Sequence, residues 1–113
     1  MRLVDGGSRC AGRVEIKYQE EWRRLYSTNG YTWSMKTAAV VCRQLDCGSA
    51  VSTRGYRGDE DRRVWWFDSP CAGTESALRE CGDVTGGDNS SSVIEVICSG
   101  NTHNVVIFTW GSW

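Results

Sequence analysis

The chain has 113 residues, a formal net charge of −1, thirteen glycines and six cysteines. This length indicates a single domain. A nearly neutral chain lacks the basic surface that general nucleic-acid binding needs, and its longest apolar runs are far too short to span a membrane.

The cysteine content indicates a disulfide-bonded protein from an oxidising compartment. The count is even, and the chain is rich in glycine, which is typical of a small domain with many turns. The alternative is a cytosolic protein with reduced thiols or a zinc site. Zinc sites favour paired short cysteine knuckles or cysteines combined with histidines, whereas this chain has one Cys-x4-Cys spacing and one histidine, His103. Because Met1 leads straight into Arg2 without a signal peptide, we expect a trimmed mature segment with an added start methionine.

The first part of the chain predicts a β-hairpin. Residues 13–18 alternate in polarity, which predicts a half-buried strand with Val14, Ile16 and Tyr18 facing inward. The polar residues 19–21 predict a turn, and residues 22–26 predict the return strand. Asn29-Gly30 is a strong turn signal after this strand.

Residues 34–48 predict the central α-helix. Apolar residues fall on one helical face at the spacing i, i+3, i+4, i+7. They are Ala38, Val41, Cys42 and Leu45. Ser34 is suited to cap the N-terminus, and Gly48 is suited to end the segment in a left-handed conformation. A helix with two cysteines can be tied at two points to the strands around it.

After this helix, polar segments alternate with short apolar ones. Residues 49–63 are polar and predict a surface loop, and residues 64–67 predict a short strand in which Trp65 and Trp66 face opposite sides. Residues 74–81 predict a helical turn capped by Thr74, residues 82–92 a loop, and residues 93–98 a last strand. Residues 100–113 form a C-terminal tail, whose apolar run at 105–108 suits an extra strand, a linker, foreign sequence or self-association.

Four blocks of the sequence resemble the scavenger receptor cysteine-rich domain family. They are RLVDGGSRCAGRVEI (2–16), AAVVCRQLDCG (38–48), CAGTESAL (71–78) and VIC (96–98), in the family's order and spacing. The resemblance covers about residues 2–99, which we take as the domain. It implies an α+β fold, a small disulfide-rich domain whose curved antiparallel β-sheet cradles one main α-helix, with a short second helix. It also implies an extracellular location, in a secreted protein or the ectodomain of a membrane protein.

The resemblance implies the disulfides Cys10–Cys47, Cys42–Cys98 and Cys71–Cys81, whereas spacing alone leaves many pairings open. The family's longer, group B cysteine set has two further members, which normally pair with each other. Tyr26 and, approximately, Ser90 stand at those positions, so the chain is group B-like with one disulfide missing. Losing both cysteines together leaves no unpaired thiol.

The resemblance also implies calcium-assisted ligand capture, but most of the expected ligands are replaced. Calcium needs several convergent oxygens. The first acidic pair of the family is replaced by Ser27-Thr28, and Asp68 alone remains of the second pair, next to Phe67. Asn89 matches a ligand asparagine only with a gap. We therefore expect no cofactor, with weak metal candidates at Asp68, Asn89, Asp59 and Asp61; a solvated acidic loop is the alternative for residues 59–61.

Six arginines are candidates for an anion-binding face, because guanidinium groups suit sulfates, phosphates and carboxylates. They are Arg23, Arg24, Arg54, Arg57, Arg62 and Arg63. The acidic residues 59–61 adjoin two of them and neutralise part of this charge.

Two shorter motifs also bear on ligand binding. Residues 14–17 followed by Trp22 are similar to a bacterial-surface-binding stretch of some family members, with Glu15 and Lys17 pointing outward from the hairpin. The alternative is that the apolar residues of this stretch form hairpin core. Asn89-Ser90-Ser91 is an N-glycosylation sequon.

The sequence offers no convincing catalytic arrangement, since its one histidine lies in the tail and no phosphate-binding glycine loop occurs. Three hypotheses follow. The first is an extracellular ligand-binding module of an innate-immune scavenger or pattern-recognition protein, which binds microbial surface polyanions. The second is a metal-independent adhesion module of a lymphocyte-type receptor, whose partner is a host cell-surface or extracellular protein. The third is a structural spacer in a multidomain ectodomain.

Overall fold

The computed structural model describes residues 1–27 and 33–100. This part of the chain folds into one five-stranded sheet, one α-helix and one 3₁₀ helix. The elements are β1 (Arg2–Ser8), β2 (Ala11–Tyr18), β3 (Glu21–Tyr26), α1 (Met35–Gln44), β4 (Ala50–Trp66), the 3₁₀ helix (Leu78–Glu80) and β5 (Thr85–Cys98). The predicted α+β class is confirmed. The Asn29-Gly30 turn and the apolar run 105–108 lie outside the described residues.

The sheet is mostly antiparallel and closes on itself. Its order is β1-β2-β3-β4-β5, and β5 also pairs with β2, so four strands form a circuit. The β3–β4 pair is parallel, unlike the other four pairs. Parallel neighbours need a long crossover connection, and α1 lies in the segment between these two strands.

The predicted hairpin is present as β2 and β3. Val14 and Ile16 are buried, as the alternation predicts. The strands are joined through Gln19 and Glu20, which both have positive φ, the conformation of a tight hairpin turn. Strand β1 is an element that the sequence reasoning missed, because its glycines and aspartate hide the strand pattern.

Helix α1 begins where predicted and ends earlier. The Ser34 Oγ accepts a hydrogen bond from the Lys36 amide at 3.2 Å. The helix ends at Gln44, and the chain leaves it through Asp46 at φ 56°, before Gly48 at φ 82°. The predicted apolar face is buried against the sheet. Its burial orients both cysteines of the segment towards the strands.

Two predicted loops, residues 49–63 and 82–92, are wrong. Residues 50–63 belong to β4 and residues 85–92 to β5, and the two strands pair as a long antiparallel ribbon with Arg54 opposite Glu95 and Arg62 opposite Ser90. Most residues of β4 are exposed, including consecutive ones, and residues 85–92 of β5 are exposed or half-buried without alternation. The sequence therefore lacks the alternation that indicates a strand, although backbone pairing forms one.

The predicted short second helix is confirmed as a 3₁₀ helix, but its predicted start and its Thr74 cap are wrong. The 3₁₀ helix begins only after Ala77 and has no side-chain cap. Glu75 acts instead upstream, where its carboxylate accepts the amides of Ala72 and Gly73, each at 2.9 Å. This loop is closed by a disulfide and tied to α1, because Arg43 donates to the Gly73 and Glu75 carbonyls.

The three disulfides of the structure are the pairs implied by the resemblance. Cys10–Cys47 joins the β1–β2 turn to the exit of α1, Cys42–Cys98 joins α1 to β5, and Cys71–Cys81 closes the loop around the 3₁₀ helix. All six cysteines are paired, which excludes thiolate ligands for zinc. The main core lies between α1 and the sheet and includes Ile16, Leu25, Val41, Trp65 and Phe67.

Candidate functional site

The sheet has a second, polar face opposite the main core. In β2, Arg13 and Glu15 alternate with the buried Val14 and Ile16. Strand pairing sets Glu15 opposite Arg24 and Arg24 opposite Val64, and directly paired residues project from the same face. Val64 is buried, yet it does not belong to the main core cluster. Something other than α1 therefore covers this face.

The β4–β5 ribbon provides that cover. Its register is interrupted between Arg57 and Arg62, and such irregularities bend a strand. The Arg24 Nη2 donates to the main-chain carbonyls of Glu60 and Ser90, each at 2.8 Å. Arg24 is consequently only 6% exposed, and it binds the ribbon to the sheet.

A cavity of about 350 Å³ lies at this junction, and we call it the arginine cavity. Three guanidinium-bearing residues line it from three strands: Arg13 from β2, Arg24 from β3 and Arg62 from β4. The other lining residues are Asp5, Tyr56, Gly58, Asp59, Glu60 and Val93. This volume lies at the lower end of the range for small-molecule sites.

The arginines of the cavity differ in how their charge is balanced. Arg13 is ion-paired with Asp5, and Arg62 with Glu60 at 2.7 Å. Within the part of the chain that the structure describes, no carboxylate bonds to Arg24, whose Nη2 donates to main-chain carbonyl oxygens. Burial lowers the pKa of Arg24, and the positive charges of Arg62 and Arg13 lower it further. The negative charges of Glu15 and Glu60 oppose this shift, and an arginine stays protonated in any case. Arg24 therefore brings a positive charge to a cavity whose other charges are Arg13, Arg62 and the carboxylates of Asp5, Asp59 and Glu60.

The structure does not gather the six predicted arginines on one surface. Arg23 is 9% exposed and lies on the core side, 3.9 Å from the centroid of the Trp65 ring and 2.5 Å from a Glu21 oxygen. Arg54 is exposed and ion-paired with Glu95 at 2.9 Å.

Of the remaining arginines, Arg57 and Arg63 are exposed on the ribbon, and only Arg24 and Arg62 share the cavity. Sequence reasoning missed Arg13. The alternation of β2 does place Arg13 on the polar face, but nothing local predicts which residues approach it there.

Glu15 and Lys17 occupy the face predicted for them. Glu15 is largely covered by its ion pair with Arg2, at 2.8 Å, and the Arg2 guanidinium also lies 4.0 Å from the centroid of the Trp22 ring. Lys17 is exposed. The surface of this hairpin is thus a set of internal contacts with one exposed lysine.

Among residues 1–27 and 33–100, none of the weak metal candidates Asp59, Asp61 and Asp68 lies in a group of three close carboxylate, histidine or cysteine ligands. Asp68 accepts hydrogen bonds from Ser27 Oγ at 3.0 Å and from Trp66 Nε1, while Phe67, at the position of its former acidic neighbour, is buried in the core. Asn89 lies exposed on β5 opposite Arg63. One carboxylate with these neighbours does not supply the oxygens that calcium needs.

Asp59 and Asp61 are exposed on β4. Within residues 1–27 and 33–100, the one group of metal-type ligands in close proximity is Cys71, Glu75 and Cys81. Both of its cysteines are in a disulfide, and the backbone amide of Ala72, the largest cause, lowers the pKa of Glu75. This carboxylate therefore stabilises the loop by accepting hydrogen bonds from its backbone amides.

The positions of the missing disulfide lie together. Tyr26 and Ser90 line a second cavity of about 220 Å³, together with Trp66 and Asn89. The Tyr26 and Trp66 rings meet edge to face with centroids 5.9 Å apart. The Tyr26–Trp66 contact thus lies in the same cavity as Ser90, and Tyr26 and Ser90 are the positions that the resemblance assigns to the family's further disulfide. Trp66 is half-buried and Trp65 buried, in agreement with their predicted opposite directions.

Comparison with known proteins identifies relatives for nearly the whole described chain. The family model of the scavenger receptor cysteine-rich domain matches residues 4–105. Human CD5 antigen-like is 38% identical over 93 residues, covering 80% of this chain and 26% of the relative. Mouse T-cell differentiation antigen CD6 is 42% identical over 83 residues, covering 72% of this chain and 12% of the relative.

Solved structures of this domain family have a similar fold. CD5 domain III, a group B scavenger cysteine-rich receptor fold, gives a TM-score of 0.64 at 26% identity, covering 86% of this chain and 90% of that one. The third such domain of murine neurotrypsin gives 0.60 at 33% identity, covering 86% and 92%. The chain spans about a quarter or less of the length of the curated relatives it matches. No helix in the described residues is long and apolar enough to cross a membrane.

Proposed function

The chain belongs to the scavenger receptor cysteine-rich domain family, whose members are extracellular ligand-binding modules, and we propose that it binds polyanions of microbial or host surfaces through the arginine cavity. The observation that carries the proposal is the position of Arg24, buried between Arg13 and Arg62 without a carboxylate partner among the described residues. Opposite charge at such a site gives both attraction and orientation.

Calcium is not needed for this mode of binding. Arginines contact sulfate, phosphate and carboxylate groups directly, whereas the family's calcium-bridged mode needs the acidic pairs that Ser27 and Phe67 replace here. The module we propose therefore recognises its ligand without metal.

Retention on immobilised heparin and on lipopolysaccharide tests the proposal. We expect binding that weakens as salt rises, because exposed charges are screened. We expect the same binding in the presence of a calcium chelator. Absence of retention on both matrices at low salt would contradict polyanion binding.

The second candidate is adhesion to a host protein. The half-buried Trp66 and Tyr26 beside the second cavity favour it, since aromatic residues are enriched at protein interfaces. The likeness to a T-cell differentiation antigen also supports it. Binding to a receptor-bearing cell that persists at high salt and in excess heparin would favour this candidate. If the protein binds neither the two polyanion matrices nor such a cell, the third hypothesis, a structural spacer in a multidomain ectodomain, would be favoured.

Three further predictions stay proposals. We propose that residues 2–99 form the domain and that residues 100–113 are a C-terminal tail, which is an extra strand, a linker, foreign sequence or a self-associating segment. Sizing before and after protease trimming would test self-association. Asn89, exposed on β5 and not in a loop, carries an N-glycan when the protein is secreted by a eukaryotic cell.

A further inference from the structure

We propose that the arginine cavity binds one tetrahedral oxyanion, a sulfate or phosphate monoester on a sugar, with Arg24 as its fixed anchor. This inference rests on the proposed function and specifies the ligand group and a stoichiometry of one. It differs from diffuse attraction between a polyanion and scattered exposed arginines.

Arg24 is held ready for such a ligand before the ligand arrives. Its Nη2 is fixed by the Glu60 and Ser90 carbonyls at 2.8 Å, so binding costs little further side-chain entropy. Gly58 also shapes the wall: a β-carbon there would lie 3.5 Å from Arg24 Nη1 and 3.1 Å from a Val93 methyl group. The missing side chain leaves space beside the guanidinium.

Three arginines on three different strands favour a tetrahedral sulfate or phosphate group over a planar carboxylate as the ligand. Arg13, Arg24 and Arg62 approach from three different strands, and a sulfate or phosphate monoester presents three terminal oxygens, one more than a carboxylate. The cavity wall also contains Tyr56 and Val93, of which Tyr56 is 37% exposed. An apolar wall of this kind suits the ring of the sugar that carries the ester.

Three carboxylates line the cavity, Asp5, Asp59 and Glu60, and two of them hold arginines that the ligand needs. Their competition with the ligand predicts the direction in which binding changes when a carboxylate is removed. Glu60 holds Arg62, and Asp5 holds Arg13. The Arg62–Glu60 pair is exposed, so its exchange for a ligand oxygen costs little. Removing the Glu60 charge should strengthen ligand binding, whereas loss of a merely structural contact would weaken it.

Matched variants separate the cavity from the general charge of the domain. Arg62→Gln and Arg57→Gln remove the same charge from two exposed residues of β4, but only Arg62 lines the cavity. Calorimetry with N-acetylglucosamine 6-sulfate, mannose 6-phosphate and galacturonate compares sulfate, phosphate and carboxylate. We expect one site per chain and stronger binding of one or both esters than of galacturonate. We expect about tenfold weaker ester binding for Arg62→Gln and less than about twofold change for Arg57→Gln.

Glu60→Gln should bind the preferred ester about threefold more tightly, while Glu80→Gln, an exposed control outside the cavity, should not change binding. The Nε–Hε NMR signal of Arg24 should shift on titration of the native protein. Equal losses in Arg62→Gln and Arg57→Gln, no gain in Glu60→Gln, or stronger binding of galacturonate would overturn the inference while retention on heparin still supported the proposed function. No retention of the native protein on heparin or lipopolysaccharide would instead contradict the proposed function itself.

Discussion

The disulfide between α1 and β5 should contribute more to stability than the disulfide that closes the 3₁₀ loop. The test replaces each pair by alanine, as Cys42→Ala with Cys98→Ala and as Cys71→Ala with Cys81→Ala. The first pair joins residues 56 apart in sequence, and the second joins residues 10 apart. In the chain-entropy model, the closed loops correspond to about 4 and about 3 kcal/mol of unfolding free energy.

The burial of the cysteines in the fold increases this difference in unfolding free energy. Cys42 is completely buried in the main core and Cys98 is 6% exposed, so alanine at these sites also leaves unfilled core volume. In the second pair Cys71 is 7% exposed but Cys81 is half-buried, so less core volume is lost there. Since small domains have about 5–15 kcal/mol of stability in total, we expect the first variant to be close to unfolding at body temperature and the second to remain folded.

Guanidinium unfolding followed by tryptophan fluorescence measures both variants against the native protein. The expected order of midpoints is native, then the Cys71/Cys81 variant, then the Cys42/Cys98 variant. Equal midpoints, or a less stable Cys71/Cys81 variant, would refute the reasoning that loop length and core position set these contributions. Circular dichroism of the variants in native buffer confirms that each midpoint refers to a folded starting state.

Three further predictions concern single residues. Gly12→Ala should destabilise the domain by more than the about 1–3 kcal/mol typical of a strained backbone, because Gly12 has φ 135° and a β-carbon there would lie 2.1 Å from the Val4 carbonyl oxygen. Hydrogen bonds from backbone amides, that of Ala72 first, hold the pKa of Glu75 below its ordinary value of 4.5. The stability that the ionised carboxylate contributes is therefore present above pH 4.5 and is lost as pH falls through the lowered pKa. The unfolding midpoint of Glu75→Gln should thus lie below that of the native protein at neutral pH and converge with it in acid. Asn89→Gln should abolish the glycan mass of protein secreted from mammalian cells.

Each of these predictions has a control. Gly7→Ala places a side chain at φ 92° in open space, so it should cost less than Gly12→Ala; equal costs would show that the close backbone contact is unimportant. Glu80→Gln removes an exposed carboxylate that accepts from the Ser76 hydroxyl and not from backbone amides among the described residues, so its unfolding midpoint should follow that of the native protein from neutral pH into acid. A glycosidase-sensitive mass that persists in Asn89→Gln would place the glycan elsewhere.

Local sequence patterns were enough to predict the elements that bury one face in the main core. The alternation of Val14 and Ile16 and the helical spacing of Ala38 and Val41 identify half-buried elements, because burial on one face imposes a period on the residues. The resemblance added the disulfide pairs, which no local pattern contains. The β4–β5 ribbon escaped prediction because most of its residues are exposed, so its backbone pairs without selecting a polarity pattern.

The sequence and the family it resembles determined that this is a small extracellular disulfide-bonded domain, in which most of the acidic residues expected to bind calcium are replaced. Only the tertiary structure decided which arginines lie together. Arg23 and Arg24 are neighbours in the chain, yet strand geometry sends Arg23 to the Trp65 ring and Arg24 to the opposite face, where it meets Arg13 and Arg62. The arginine cavity depends on strand register and on the bend of the ribbon, which arise from pairing between distant segments.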